Sequence, residues 1–101
     1  MSLSLIEIIV MACMYDEDRI GKHHGNVERI LKFCTPKEYR DKNSLGTLKK
    51  SMRKLAGAGY LILKKGRSEA YSLSQKGVIV AERWKEGWTL EQINEAEEID
   101  D

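Results

Sequence analysis

LGTLKKSMRKLAGAGYLILKKGRSEAYSLSQKG, residues 45–77, contains a helix pattern, a break at glycines and two short strand patterns, in that order. Apolar residues recur at the helical spacing of three or four positions, and this stripe consists of Leu45, Leu48, Met52 and Leu55. Asn43 or Ser44 is a suitable N-terminal cap, and glycines at positions 57 and 59 supply a stop. The pattern predicts an amphipathic helix over residues 44–57, with its cations largely opposite the apolar stripe.

Two short strand patterns follow this helix and are separated by a basic turn. Residues 60–63 are rich in strand formers, and residues 71–73 alternate apolar with polar side chains. The turn, KKGRS at 64–68, has three cations and a glycine that tolerates positive φ. Because a two-stranded hairpin is only marginally stable alone, it must pack on the helices. We therefore predict strands over 60–65 and 69–73 that form a packed hairpin.

The charges of the chain are strongly segregated, although the formal net charge is only +1. Residues 36–67 contain ten basic and two acidic side chains, whereas residues 78–101 contain two basic and eight acidic ones. Clustered cations repel one another, and a polyanion relieves that repulsion. A basic block on the helix and the hairpin is the pattern expected for contact with nucleic-acid phosphates. The acidic end of the chain is expected to be a solvated or partly frayed terminus.

The first helix pattern is almost entirely apolar. Ser4 and Glu7 have the spacing of a capping box, which predicts a helix over residues 4–17. The apolar run over residues 5–15 is too short to cross a bilayer, and no basic segment precedes it, so neither a membrane span nor a secretory signal is indicated. A helix that is apolar on most faces is difficult to bury within one small subunit. We expect one face in the core and the other in a contact between two copies of the chain.

A second helix and a short helical turn are predicted between this helix and the amphipathic one. Residues 26–34 have the apolar spacing of a helix capped by Asn26, and residues 36–41 begin with Pro36 at a first helical position. Either segment could be the first member of a helix-turn-helix; we favour 26–34, with 36–43 as an extended turn. Two further helices are predicted near the C-terminus, one from 75 to about 86 and one that starts near Leu90.

The order of these elements defines the expected fold. With 101 residues, 42% of them hydrophobic, the chain has the size of one domain with one core. We predict an α+β fold, mostly α: a winged helix-turn-helix with a two-stranded β-hairpin wing and C-terminal helices. Residues 1–77 form the winged-helix core, and residues 75–101 form the C-terminal helices and acidic tail of the same domain. In a helix-turn-helix the second helix enters the major groove of DNA.

Several motifs together resemble the PadR-like group of winged-helix transcriptional regulators. They are HGNVERI at 24–30, GTLKKSMRKL at 46–55, GYL at 59–61 and YSLSQKG at 71–77. The family has a recognition helix of the form Gly-Thr-Leu-Tyr-Pro-x-Leu-x-x-Leu, and Lys49 and Lys50 stand where it has Tyr-Pro. MarR-like and other archaeal or viral winged-helix proteins share much of the wing pattern. The resemblance implies a homodimeric, sequence-specific transcriptional regulator, a repressor, that binds double-stranded DNA.

Candidate site residues follow from the helix, the wing and the resemblance. The residues expected to contact DNA are Asn43, Ser44, Gly46, Thr47, Lys49, Lys50, Arg53, Lys54, Lys64, Lys65 and Arg67. The residues expected at the dimer interface are Leu5, Ile8, Ile9, Ile79, Val80 and Trp84. The resemblance also implies a small aromatic effector, for which Trp84 and Trp88 offer stacking area, with simple core packing as the alternative role of both rings. No cofactor is expected.

Other functional classes find little support in the sequence. It has no glycine-rich phosphate loop, no His-Glu-x-x-His motif and no nucleophile elbow, so an enzyme is not expected. The potential metal ligands lack a Cys-x-x-Cys pair, and no metal site is expected; these ligands are Cys13, His23, His24 and Cys34. We expect both cysteines to be free thiols in the core of a cytoplasmic protein. The alternative function is a winged-helix protein–protein interaction module that does not bind DNA.

Overall fold

The computed structural model describes residues 2–99, apart from the side chains of Lys42 and Ile99. The helices are α1 (Leu5–Asp16), α2 (Val27–Cys34), α3 (Lys42–Gly57), α4 (Gln75–Lys85) and α5 (Leu90–Ile99), with a 3-10 turn at Lys37–Tyr39. The strands are β1 (Gly25–Asn26), β2 (Leu61–Lys64) and β3 (Ala70–Leu73), in an antiparallel sheet of order β1-β3-β2. The prediction of an α+β, mostly helical class is confirmed.

Helix α1 lies at the centre of the core. It packs against α2, α3, α4 and β3, so neighbours cover it from several sides. Ser4 caps it through the expected capping box: the Glu7 N–H donates to the Ser4 hydroxyl, and the Ser4 N–H donates to the Glu7 carboxylate at 2.8 Å. One face of this helix is in the core, as expected, because Val10, Met11 and Met14 are at most 3% exposed; the contact of its other face with a second copy stays a prediction.

A disulfide joins Cys13 of α1 to Cys34 of α2, with the two Cα atoms 5.4 Å apart. The prediction of two free thiols is therefore wrong. Each cysteine lies on an apolar stripe, as expected, but a stripe does not reveal which residue of a neighbouring helix it meets. The packing of α1 against α2 brings the two thiols together from positions 21 residues apart.

Helix α3 begins two residues earlier than predicted, because Asp41 caps it instead of Asn43 or Ser44. The Asp41 carboxylate accepts the Ser44 N–H at 2.9 Å and the Ser44 hydroxyl at 2.8 Å. The backbone bond and then the hydroxyl bond hold the pKa of Asp41 below its usual range. The Asp41 carboxylate therefore remains charged at neutral pH, and its negative charge interacts favourably with the positive N-terminal end of the α3 dipole.

The sheet contains a third strand that the sequence analysis missed. Strand β1 has only two residues, which pair Gly25 with Tyr71 and Asn26 with Ala70 on β3. The Val27 N–H extends this pairing by donating to the Glu69 carbonyl at 2.9 Å. Two residues are too few for an alternating pattern, so no strand signal exists in the sequence. The result is that the start of α2 is joined to the β2–β3 hairpin.

Helix α5 is anchored to the junction between α3 and β2. The Glu97 carboxylate is 3% exposed and accepts bonds from the Tyr60 hydroxyl at 2.7 Å and from Arg83 at 3.2 Å. The side-chain amide of Asn94 bonds both backbone groups of Leu3, as donor and as acceptor. Glu97 is therefore packed and not solvated, contrary to expectation, whereas Glu91, Glu95 and Glu98 of the same helix are exposed. Residues 100 and 101 of the predicted acidic tail lie outside the described residues.

Candidate nucleic-acid interface

Helix α3 turns one face to the core and the opposite face to solvent. Leu48, Met52 and Leu55 are at most 4% exposed. At 100° per residue, the direction opposite to these three side chains runs close to position 50. The exposed residues around that direction, termed here the α3 outer face, are Asn43, Gly46, Thr47, Lys50, Arg53 and Lys54. All six belong to the residues predicted to contact DNA.

Gly46 leaves the α3 outer face without a side chain near its middle. A Cβ atom at this position would have no other atom within 4 Å, so packing within the chain does not require glycine. Glycine inside a helix costs about 1 kcal/mol relative to alanine. A close approach of the helix backbone to another molecule would account for a residue that the fold itself does not need.

The end of β2 and the loop that follows it carry the second group of cations. Lys64, Lys65 and Arg67 are all exposed. The glycine of this loop does not use its freedom to take positive φ, contrary to the role expected from the sequence. The Asn26 amide donates to the Ser68 hydroxyl, so the loop is attached to the start of α2.

An ion pair joins the α3 outer face to this loop. The Nε atom of Arg53 donates to Oε1 of Glu69 at 2.9 Å. Glu69 directly precedes β3 and closes the loop that carries Lys65 and Arg67, so the cations of the helix and of the hairpin adjoin. The combined set is termed here the basic surface and consists of Lys50, Arg53, Lys54, Lys64, Lys65 and Arg67.

Lys49 lies at the edge of the basic surface and forms an ion pair with Glu28 of α2. Its Nζ atom is 2.5 Å from Oε1 of Glu28, and the Lys49 side chain is 39% exposed. Neither Glu28 nor Glu69 was recognised from the sequence as a partner of a cation on α3, because they lie 21 and 16 residues away from their partners. The signal in the sequence that could indicate such ion pairs is the presence of Glu28 and Glu69 on either side of the basic block at residues 36–67.

Ser44 and Thr47 have hydrogen-bond partners within α3 and its cap. The Thr47 hydroxyl donates to the Asn43 carbonyl at 3.1 Å, and the Ser44 hydroxyl donates to Asp41. Both residues line a groove of about 540 Å³ between α3 and the start of α1. The two hydroxyl oxygens can still accept hydrogen bonds, but both hydroxyl protons are already donated to partners within the chain.

The residues predicted for a dimer interface are divided between the core and the surface. Ile8 and Val80 are 0% exposed and belong to the core of the single chain, so neither is available to a partner. Assigning these two to an interface is wrong, because neighbouring elements already cover them. The other four are at least partly exposed: Leu5, Ile9, Ile79 and Trp84.

The two tryptophans are half-buried and pack against the core. Trp88 lines a surface cavity of about 430 Å³ together with residues of α5. The Arg83 guanidinium lies 4.8 Å from the centroid of the Trp88 ring, a favourable cation–π distance. One face of this indole is therefore already occupied by a side chain of the protein.

Comparisons with protein-family models, curated proteins and solved structures found no match for this chain. Within residues 2–99, no helix combines the length and the apolar character that a membrane span requires. In the same part of the chain, no group of three or more His, Cys, Asp or Glu side chains is placed to hold a metal ion.

Proposed function

We propose that this chain is a sequence-specific, double-stranded DNA-binding regulator of transcription with a winged helix-turn-helix fold. In this proposal α2 and α3 are the helix-turn-helix, and the β2–β3 hairpin is the wing. Residues 35–41, which separate the two helices, replace the extended turn predicted over 36–43 because α3 starts at Lys42. The observation that carries the proposal is the contact between Arg53 and Glu69, which makes the exposed cations of a helix and a hairpin adjoin.

The physical basis is the match between these two elements and the two kinds of contact that DNA offers. An α-helix fits the major groove, where base edges present a distinct pattern for each base pair. We assign base contacts to Lys50 and Arg53 on α3, with Gly46 permitting a close approach of the backbone. Phosphate contacts, which supply affinity without sequence information, are assigned to Lys65 and Arg67 of the hairpin.

The PadR-like identity, repression and cytoplasmic localisation are further parts of this proposal. Free thiols are the basis of the predicted cytoplasmic localisation, and the Cys13–Cys34 disulfide removes that basis. Disulfides are rare in cytosolic proteins but common inside hyperthermophilic archaea and bacteria, so the bond is compatible with an intracellular DNA-binding protein.

Replacing Lys65 and Arg67 together with alanine is expected to weaken binding to every duplex by about tenfold at 0.1 M salt. Two phosphate contacts are lost, so the slope of log affinity against log salt concentration should fall by about two. Fluorescence anisotropy with random-sequence and selected duplexes, repeated over a range of salt concentrations, measures both quantities.

The matched control for this experiment is Lys85→Ala, which removes an exposed cation of α4 outside the basic surface. It should change neither the affinity nor the salt slope. If the unmodified protein binds no duplex DNA even at low salt, DNA binding is excluded and the protein–protein interaction module becomes the better proposal.

We also propose a two-fold homodimer, which would place two α3 helices about 34 Å apart on an inverted-repeat site. Leu5 and Ile79 are 45% and 41% exposed, which favours them as contacts. The double variant Leu5→Glu/Ile79→Glu is expected to sediment as a monomer while keeping its fold, because neither side chain is in the core. A monomeric unmodified protein at micromolar concentration, with DNA binding intact, would refute the dimer.

A small aromatic effector near Trp84 and Trp88 remains a prediction. The cavity beside Trp88 provides space for such a ligand. Arg83 covers one face of the Trp88 ring, so a planar ligand would have to displace this guanidinium or stack on the opposite face.

A further inference from the structure

Glu69 is bonded through both carboxylate oxygens and through its backbone carbonyl. Oε1 accepts from Nε of Arg53 at 2.9 Å, and Oε2 accepts from the Tyr71 hydroxyl at 3.0 Å. The carbonyl accepts the Val27 N–H at 2.9 Å. One acidic residue at the turn end of the hairpin thus connects α3, β3 and the start of α2.

The inner part of this network is buried and the outer part reaches solvent. Tyr71 is 0% exposed and belongs to the core, so its hydroxyl fixes one oxygen of the carboxylate from below. The side chains of Glu69 and Arg53 are 27% and 62% exposed. The guanidinium is therefore held at its inner end and accessible at its outer end.

Both ends of the network keep the required protonation state near neutral pH. Burial and the bond to Glu69 raise the pKa of Tyr71 to about 12, so its hydroxyl remains a donor. The Tyr71 bond, followed by the contact with Arg53, lowers the pKa of Glu69 below its usual range, so its carboxylate remains an acceptor.

A role in stability alone explains this arrangement poorly. Exposed ion pairs add little to the free energy of folding, because solvent screens the charges and two flexible side chains must be immobilised. A carboxylate on a surface that is proposed to bind phosphates also repels the DNA backbone. A carboxylate at this position needs a benefit that offsets the repulsion. Its bond to Arg53 indicates that the benefit is a fixed orientation of the guanidinium.

We propose that Glu69 is a positioning residue that orients Arg53 for a bidentate contact with a guanine base. This inference rests on the proposed DNA-binding function. The contact with Glu69 uses Nε, and the terminal nitrogens Nη1 and Nη2 are the pair that matches O6 and N7 of guanine in the major groove. Fixing the guanidinium in advance reduces the side-chain entropy that is lost when the base contact forms.

The test begins with selection of preferred sites from random duplex DNA by the unmodified protein. Binding of Glu69→Ala, Arg53→Ala and the double variant is then measured on the selected site and on all of its single-base substitutions. Glu69→Ala is expected to reduce the preference for guanine at one position by about tenfold, within the range for losing one bidentate base contact. Affinity for non-specific duplex should stay the same or rise, because a negative charge has been removed.

In the Arg53→Ala background, removing Glu69 should cause no further loss of preference, since Glu69 acts only through Arg53. Tyr71→Phe removes the bond that fixes Oε2 and should weaken the preference at the same position by a smaller factor. The matched control is Glu28→Gln, which removes the carboxylate beside Lys49; it should raise affinity for all sequences equally and leave the guanine preference unchanged.

A uniform gain in affinity for Glu69→Ala, with every base preference retained, would overturn the positioning role and leave only electrostatic repulsion. Failure of the unmodified protein to bind any duplex at low salt would instead overturn the proposed function together with this inference. Thermal unfolding of each variant checks that it remains folded.

Discussion

Replacing Gly77 with alanine is expected to lower the free energy of unfolding by about 3 kcal/mol, near the upper end of what overpacking costs. A Cβ atom at this position would lie 2.2 Å from the Tyr60 carbonyl oxygen and 3.1 Å from a methyl group of Leu73. The carbonyl cannot move away easily, because it accepts the Ser74 N–H at 3.1 Å. Thermal denaturation should show a fall in Tm on the order of 15 °C.

Gly46→Ala is the matched control, since it makes the same change in a helix where a Cβ atom meets nothing within 4 Å. It should leave stability unchanged or raise it by up to about 1 kcal/mol through better helix propensity. Equal stability of the Gly77→Ala and Gly46→Ala variants would mean that the start of α4 does not rest against the carbonyl of Tyr60.

Local sequence patterns predicted most of the secondary structure. The apolar stripe of α2 predicted its buried side, and all four members of that stripe are buried: Val27, Ile30, Leu31 and Cys34. The helix and strand bounds read from the sequence differ from those of the structure by at most two residues. Such patterns succeed because helix periodicity, caps and strand alternation depend on residues only a few positions apart. The assignment of residues 1–77 to a winged-helix core and of residues 75–101 to C-terminal helices and a tail stays a prediction.

Contacts between distant residues could not be read from those patterns. The dimer contact predicted for one face of α1 comes from its apolar character alone, and a local pattern does not show how many neighbours within the same chain surround a helix. The buried position of Glu97 is a similar case. A single glutamate in an acidic segment gives no sign that the Tyr60 hydroxyl and Arg83 lie against it.

The candidate site shows the same division between local and distant information. The exposed position of Lys50, Arg53 and Lys54 follows from the helical period and was foreseen from the sequence. The pairing of Arg53 with Glu69 depends on how the hairpin folds back on α3. Charge counting predicts phosphate contact for residues 36–67, but it gives no sign that Glu69, just outside this block, accepts a bond from Arg53 within it.

Reduction of the Cys13–Cys34 disulfide is expected to lower the free energy of unfolding by about 3 kcal/mol. The bond closes a loop between positions 21 residues apart, and breaking it restores conformational freedom mainly to the unfolded chain. The bond also ties α1 to α2, the short helix that precedes α3 in the proposed helix-turn-helix. Chemical denaturation with and without a phosphine reductant measures the change.

The double variant Cys13→Ala/Cys34→Ala separates the cross-link from side effects of the reductant. Its stability should be lower than that of the oxidised protein and should not respond to reductant at all. Thiol alkylation followed by mass spectrometry gives an independent readout, since the oxidised protein should take up no label until it is reduced. Two labelled thiols in the untreated protein, together with a stability that ignores reductant, would show that α1 and α2 are held by packing alone.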